Sequence, residues 1–175
     1  MFSPDFVNLI LGSATLLGQV IIVVVIFCLL TGTGKSIVDF FTKRALWMMF
    51  LVALVATSGS LTYSEILGYE PCYLCWFQRI FMYPQTILFG LALYKKDNKI
   101  FDYGLALSGV GILYSIYHYL LQWGFVPELS CSVVGVSCAK QFVTVFGYIT
   151  IPLMALTAFA LIILHGYLAK RAVQN

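Results

Sequence analysis

Apolar residues run along the chain in five long stretches, about 7–30, 46–67, 74–94, 101–123 and 143–168, separated by short polar breaks. Each is about the 20 residues that a helix needs to cross a hydrocarbon core. Five membrane-spanning helices are therefore predicted, with the two termini on opposite sides. Gly59, Pro84, Gly109, Gly111 and Pro152 fall inside these stretches. In water they would break a helix, but neighbouring helices can satisfy the freed backbone groups in a membrane bundle. Neither an internal repeat nor a low-complexity segment is visible. The one long connection, Gly124 to Phe142, is of a size more often functional than idle in so small a protein.

Composition agrees with this pattern. The 175 residues are 61% hydrophobic and 10% charged, against roughly 45–50% and about 25% in an average soluble domain. So few charges could not cover a water-soluble fold of this size. The net charge of +3 comes from basic residues in short runs between the apolar stretches, which suits topology rather than a nucleic-acid partner, and none is expected. Lys35, Lys43, Arg44, Lys95, Lys96, Lys99, Lys170 and Arg171 all fall on one side of the predicted spans, which marks that side as cytoplasmic. The opposite side carries Asp5, Glu70, Glu128 and Lys140 and little other charge. The N-terminus is therefore expected outside and the C-terminus inside. The first stretch lacks a basic leader and is long, so it is read as a retained helix rather than a cleaved signal.

The topology, read from charge alone, sorts the five cysteines. Cys72, Cys75, Cys131 and Cys138 fall outside, where disulfides persist, and Cys28 sits near the inner end of the first helix as a small apolar filler. In EPCYLCWFQR the CxxC of Cys72 and Cys75 could be a zinc half-site, a redox pair or coincidence. Pro71 suits a helix start, which would put both thiols in the first turn, where the helix dipole favours thiolate. Arg79, at i+4 from Cys75, can reach back toward the same sulfur. Zinc would need two further ligands, and the loop lacks a second close pair, so no metal is expected. Cys131 and Cys138 in ELSCSVVGVSCAK, with Gly135 available for a turn, fit either a structural staple or an exchange partner for the CxxC.

Polar residues at membrane depth extend the candidate site. Arg79 lies about five residues into its span, roughly 7 Å deep at 1.5 Å per residue, and His118 lies at a similar depth in the next. Such charges are expensive in lipid unless used. Glu65 and Gln78, near the outer ends of their helices, could line the same pocket or face water. A thiol pair that is oxidised repeatedly needs an electron sink, and the chain carries neither GxGxxG nor CxxCH. A lipid-soluble quinone fits, with Arg79 and His118 placed to stabilise its reduced anion or supply protons.

GSLTYSEI (59–66), PCYLCWFQRIFMYP (71–84), SIYHYLLQ (115–122) and FGYITIP (146–152) together resemble the disulfide bond formation protein B (DsbB) family, especially its BdbC-type branch, over about residues 45–168. The resemblance implies an all-α integral membrane protein: a four-helix transmembrane redox domain, residues 45–175, preceded by an additional transmembrane helix and cytoplasmic connection in residues 1–44. It further implies a quinone-dependent thiol oxidase of the prokaryotic cytoplasmic membrane. Such an enzyme re-oxidises a DsbA-like, thioredoxin-fold thiol oxidase outside the cell and passes the electrons to menaquinone or ubiquinone. By the same resemblance Cys131 meets the partner, Cys138 communicates with Cys72, Cys75 faces the quinone, and Arg79 and His118 stand on the quinone side. The added first helix and the six residues between Cys131 and Cys138 depart from the family pattern. A vitamin K epoxide reductase relative would share the chemistry, but there the loop pair precedes the CxxC. A structural membrane protein with two inert disulfides is the reading from another class.

Overall fold

The computed structural model describes residues 3–97, 99–127 and 136–174. Glu128, Cys131 and Gly135 lie outside the described residues. Six α-helices follow in order: α1 (Pro4–Thr31), α2 (Lys35–Lys43), α3 (Ala45–Leu61), α4 (Tyr73–Lys95), α5 (Ile100–Gln122) and α6 (Ile151–Gln174). A single π-helical turn, Thr62–Ile66, continues α3. Among the described residues there is no strand, only an isolated bridge between Val145 and Ile149.

The bundle turns many apolar side chains outward and buries several polar ones beside its apolar core. Ile87, Leu113 and Val23 are exposed, whereas Gln78, Gln85, Ser108, Ser115, His118 and Thr157 are buried. Lipid accepts the first set. The second set must find partners inside, because an unpaired polar group in hydrocarbon costs several kcal/mol. Ser108 donates to Gln85 Oε1 at 3.0 Å, and Gln85 Nε2, one residue past Pro84 in α4, donates to the Phe81 carbonyl at 2.8 Å. Thr57 and Thr86 hydroxyls join α3 to α4 at 3.0 Å. Around these pairs Met49, Met82, Phe89, Phe101, Phe159 and Ile162 form the apolar core of α3, α4, α5 and α6. Helices α5 and α6 approach closely because Gly111 lies under the Phe159 ring, where any Cβ would collide.

Among the described residues, four helices are long and apolar enough to cross a membrane: α1, α3 with its π turn, α5 and α6. Helix α4 is as long but is diluted by Gln78, Arg79 and Gln85, and both glutamines turn inward. The five predicted crossings are consistent with this arrangement, with two local differences. The connection after the first span contains an amphipathic helix, α2, whose Phe41 packs edge-on against His165 of α6. The last helix begins at Ile151 rather than near 143. Phe146 and Gly147 take positive φ in a tight turn, and Pro152 sits in the first turn of α6, where its missing N–H is not needed.

Helix α1 packs on α6 through a small-residue face. Gly12 lies against Val145, and Gly18 against Leu161 and Thr157. Gln19 clamps the pair, taking a hydrogen bond from the Tyr148 hydroxyl at 2.8 Å and donating to Thr157 Oγ1 at 3.4 Å. Thus the start of α1 shares the thiol end of the bundle, and the end of α6 lies at the basic end, where Lys170 pairs with Asp102 at 2.6 Å.

Candidate active site

Cys72 is the N-cap of α4. Its extended backbone stops the helix, and its Sγ accepts from the Cys75 N–H at 3.4 Å, a role that serine or asparagine more often fills. Pro71 therefore precedes the cap instead of opening the helix. Cys75 follows in the first turn, so its sulfur faces that of Cys72 at 2.9 Å; both are thiols. The pair needs little movement to close a bond of about 2.05 Å. The positive end of a helix dipole favours thiolate, and Cys72 is the sulfur that the surroundings favour in that form.

The two sulfurs nevertheless look in different directions. Cys72 is buried with Leu74, Leu121 and Cys138. His118, 2% exposed, sets Nε2 at 3.7 Å from Cys72 Sγ and 3.1 Å from the Cys138 carbonyl. A carbonyl oxygen only accepts, so Nε2 carries the proton, and Nδ1 accepts from Gln78 Nε2 at 3.4 Å. The N–H of His118 thus lies between the backbone of Cys138 and the sulfur of Cys72. Cys72 precedes the spanning helix, and its thiol is held well below the ordinary range. The Cys75 thiol donating to it is the largest cause; burial opposes the shift, and His118 adds to it. Cys138 is buried and disulfide-bonded. Tyr117, Gln122 and Gln141 tie its loop to the end of α5 by hydrogen bonds to Pro127 O, Lys140 O and Gln122 O.

Cys75 opens on the other side, into a cavity of about 330 Å³ with mostly apolar walls. Arg79, Gln78, Tyr63, Glu70 and Tyr83 also line it. The Arg79 guanidinium is fixed by donating to Ser60 Oγ at 3.0 Å and Ser60 O at 3.1 Å, and Tyr83 donates to the same hydroxyl at 3.0 Å. The Trp76 and Tyr83 rings flank it at 5.4 and 5.8 Å. Ser60 lies just before the π turn, a distortion that frequently marks functional sites.

The expected site residues thus divide. Cys75, Arg79 and Gln78 share the cavity. His118 does not line it but stands behind Gln78, against Cys72. Glu65 is exposed and bonded to Ser64, and Glu70 lines the cavity in its stead. Sequence reasoning gave no role to Ser60, Glu70 or Tyr83. Ser60 lay inside the motif GSLTYSEI, but nothing in its identity tells that it holds an arginine of another helix. Cys72 Sγ, Cys75 Sγ and His118 Nε2 lie within 4.8 Å of one another, close enough to share a metal ion. They are three ligands, however, where a structural zinc takes four.

A dithiol at one end of a membrane bundle, with a histidine joining it to a further cysteine and a cation beside it, defines a polytopic membrane protein of thiol–disulfide chemistry. The chain belongs to the DsbB family: the family model described as "Disulfide bond formation protein DsbB" matches residues 42–169. It is 45% identical over 127 residues to disulfide bond formation protein C of Bacillus subtilis, covering 71% of this chain and 91% of that one. It is also 42% identical over 122 residues to the SPbeta prophage-derived disulfide bond formation protein B of the same organism, covering 70% and 82%. No solved structure matches the chain. Membership makes it a protein of membrane disulfide-bond formation, and α1 lies wholly outside the matched residues.

Proposed function

We propose that the protein is a quinone-dependent thiol oxidase of the prokaryotic cytoplasmic membrane, which re-oxidises a DsbA-like, thioredoxin-fold oxidase outside the cell. The observation that carries this reading is the division of one CxxC between two surroundings: Cys72 toward His118 and Cys138, Cys75 toward the Arg79 cavity. The redox domain is residues 45–175, with residues 1–44 an addition to it. The basic ends of the helices support a cytoplasmic C-terminus, with the thiols outside.

The cavity fits a quinone by its chemistry. It is within the roughly 300–1,000 Å³ of small-molecule sites, its walls are mostly apolar, and a fixed guanidinium stands beside Cys75. A quinone held there supplies a two-electron, two-proton acceptor. The chain's own residues do the rest. A thiolate of the reduced partner attacks the sulfur of Cys131 in a Cys131–Cys138 disulfide, and Cys138 leaves as thiolate. The partner's second thiolate then attacks its own sulfur in that mixed disulfide, so the partner is oxidised and Cys131 released. Cys138 next attacks Cys72 in the Cys72–Cys75 disulfide, and Cys75 leaves as thiolate on the cavity side. Cys131 resolves the Cys138–Cys72 bond, restoring the loop disulfide and leaving Cys72 and Cys75 with two electrons. His118 Nε2–H lies where it can stabilise Cys72 as thiolate at that point. The dithiol closes again as two electrons leave from Cys75, and Arg79 stabilises negative charge at that end of the cavity.

The test uses full-length protein in lipid nanodiscs with a reduced thioredoxin-fold oxidase and a quinone. Partner oxidation should be matched mole for mole by quinone reduction, and Cys75→Ser should abolish both. Quinone reduction that survives Cys75→Ser, or disulfides indifferent to added partner, would remove this reading.

A further inference from the structure

The Arg79 cavity is not closed by the family's core alone. One of its walls is α1, the helix outside the matched residues. Leu11, Ala14, Leu17, Gly18 and Ile21 of α1 line it opposite α3 and α6. From Leu11 to Ile21 this wall runs roughly 15 Å along the helix at 1.5 Å per residue. The cavity is therefore a channel leading from Cys75 into the depth of the bundle. Its inner walls are mostly apolar, with Leu51 and Val52 of α3 and Leu161 of α6 beside Phe159 and Thr157.

The channel also has a side door. Helix α1 meets α3 where the Leu11 side chain lies over Gly59, about 3 Å from where a Cβ would stand. Deeper in, Leu17, Leu51 and Val55 line the channel yet are 62%, 46% and 49% exposed. Here the two helices part, and the gap between them faces lipid. For a ring near Arg79 with a long aliphatic chain attached, an apolar path runs along α1 and out through this gap.

We infer that α1 forms the outer wall of a channel for the isoprenoid tail of the quinone, so that this added helix holds the tail against the bundle and admits it sideways from the bilayer. The inference rests on the quinone reading above. Because lipid is as apolar as the channel, α1 supplies fit and direction rather than hydrophobic driving force. What it changes is where the tail lies.

Two photoreactive quinones in nanodiscs with the full-length protein test this, one with an azide on the ring and one with a diazirine on the first isoprene unit of the tail. The ring probe should label the neighbourhood of Cys75 and Arg79. The tail probe should label Ala14 to Ile21 of α1. Ala14→Trp places an indole in the channel at an exposed position and should abolish the α1 adducts of the tail probe while ring labelling persists. Val20→Trp, on the exposed face of α1 away from the channel, should leave both patterns as in the wild type. Tail adducts spread equally over lipid-facing Leu9, Val20 and Val23, or unchanged by Ala14→Trp, would overturn the inference and leave the quinone reading standing. A ring probe that fails to label near Arg79 would overturn the quinone reading, and the inference with it.

Discussion

Cys72 caps a helix with its sulfur, and that one choice of residue sets much of its chemistry. The Cys75 backbone N–H, the Cys75 thiol and the His118 ring all direct hydrogen toward it. A group whose pKa is depressed stays ionised above the depressed value and loses its charge only as pH falls through it. The reduced protein should therefore hold a thiolate at pH values well below the roughly 8.5 of a free thiol. Ultraviolet thiolate absorbance in a variant with Cys28, Cys131 and Cys138 all changed to alanine reads this titration directly. Cys75→Ala removes the largest cause and should move the midpoint up, and His118→Ala should move it up by less. A midpoint that both changes leave in place would contradict the hydrogen-bond account. This residue scale is also where sequence reasoning was partial. Rise per residue fixes depth along a helix, and both Arg79 and His118 stand toward the thiol end. Depth carries no information about direction around the helix, however, and Gln78 turns out to separate the two. Glu65 and Glu70 differ in the same way, since their orientation depends on the π turn between α3 and the Cys72 cap.

At the scale of elements, polar residues in the spans act as joints between helices, and glycines set how near two helices come. Gly111 and Gly109 sit two residues apart on α5, yet a Cβ at the first would strike the Phe159 ring, whereas nothing lies within 4 Å of the second. Gly111→Leu should cost about 1–3 kcal/mol as an overpacked core does, seen as a lower thermal unfolding midpoint in detergent. Gly109→Leu should cost nothing measurable. Equal losses from both would mean that α5 and α6 are not held by this contact. The hydrophobic stretches made the five long helices legible because lipid demands length and apolarity from each. The amphipathic α2 escaped because a nine-residue helix with charged ends reads as a connection. The start of α6 was placed too early because residues 143–150 are nearly as apolar as the helix, and only the Phe146–Gly147 turn separates them.

Over the whole molecule, the fold holds one dithiol across a partition. On one side is the loop of Cys138, tied to the end of α5, and on the other an apolar channel bounded in part by α1. The family match covers residues 42–169 and not α1, while α1 supplies part of the lining of the Arg79 cavity. The motifs that carry the resemblance are those that build the partition: PCYLCWFQR supplies both thiols and the arginine, GSLTYSEI the serine that holds it, and SIYHYLLQ the histidine behind Cys72. If the partition directs the electrons, the loop pair must exchange with Cys72 and not with Cys75. Two double variants in nanodiscs decide this when mildly oxidised and mapped by mass spectrometry: Cys75→Ser/Cys131→Ser, which leaves Cys72 and Cys138, and Cys72→Ser/Cys131→Ser, which leaves Cys75 and Cys138. The account predicts an intramolecular Cys72–Cys138 disulfide in the first and no Cys75–Cys138 disulfide in the second. A Cys75–Cys138 bond that forms as readily as, or in place of, Cys72–Cys138 would contradict it.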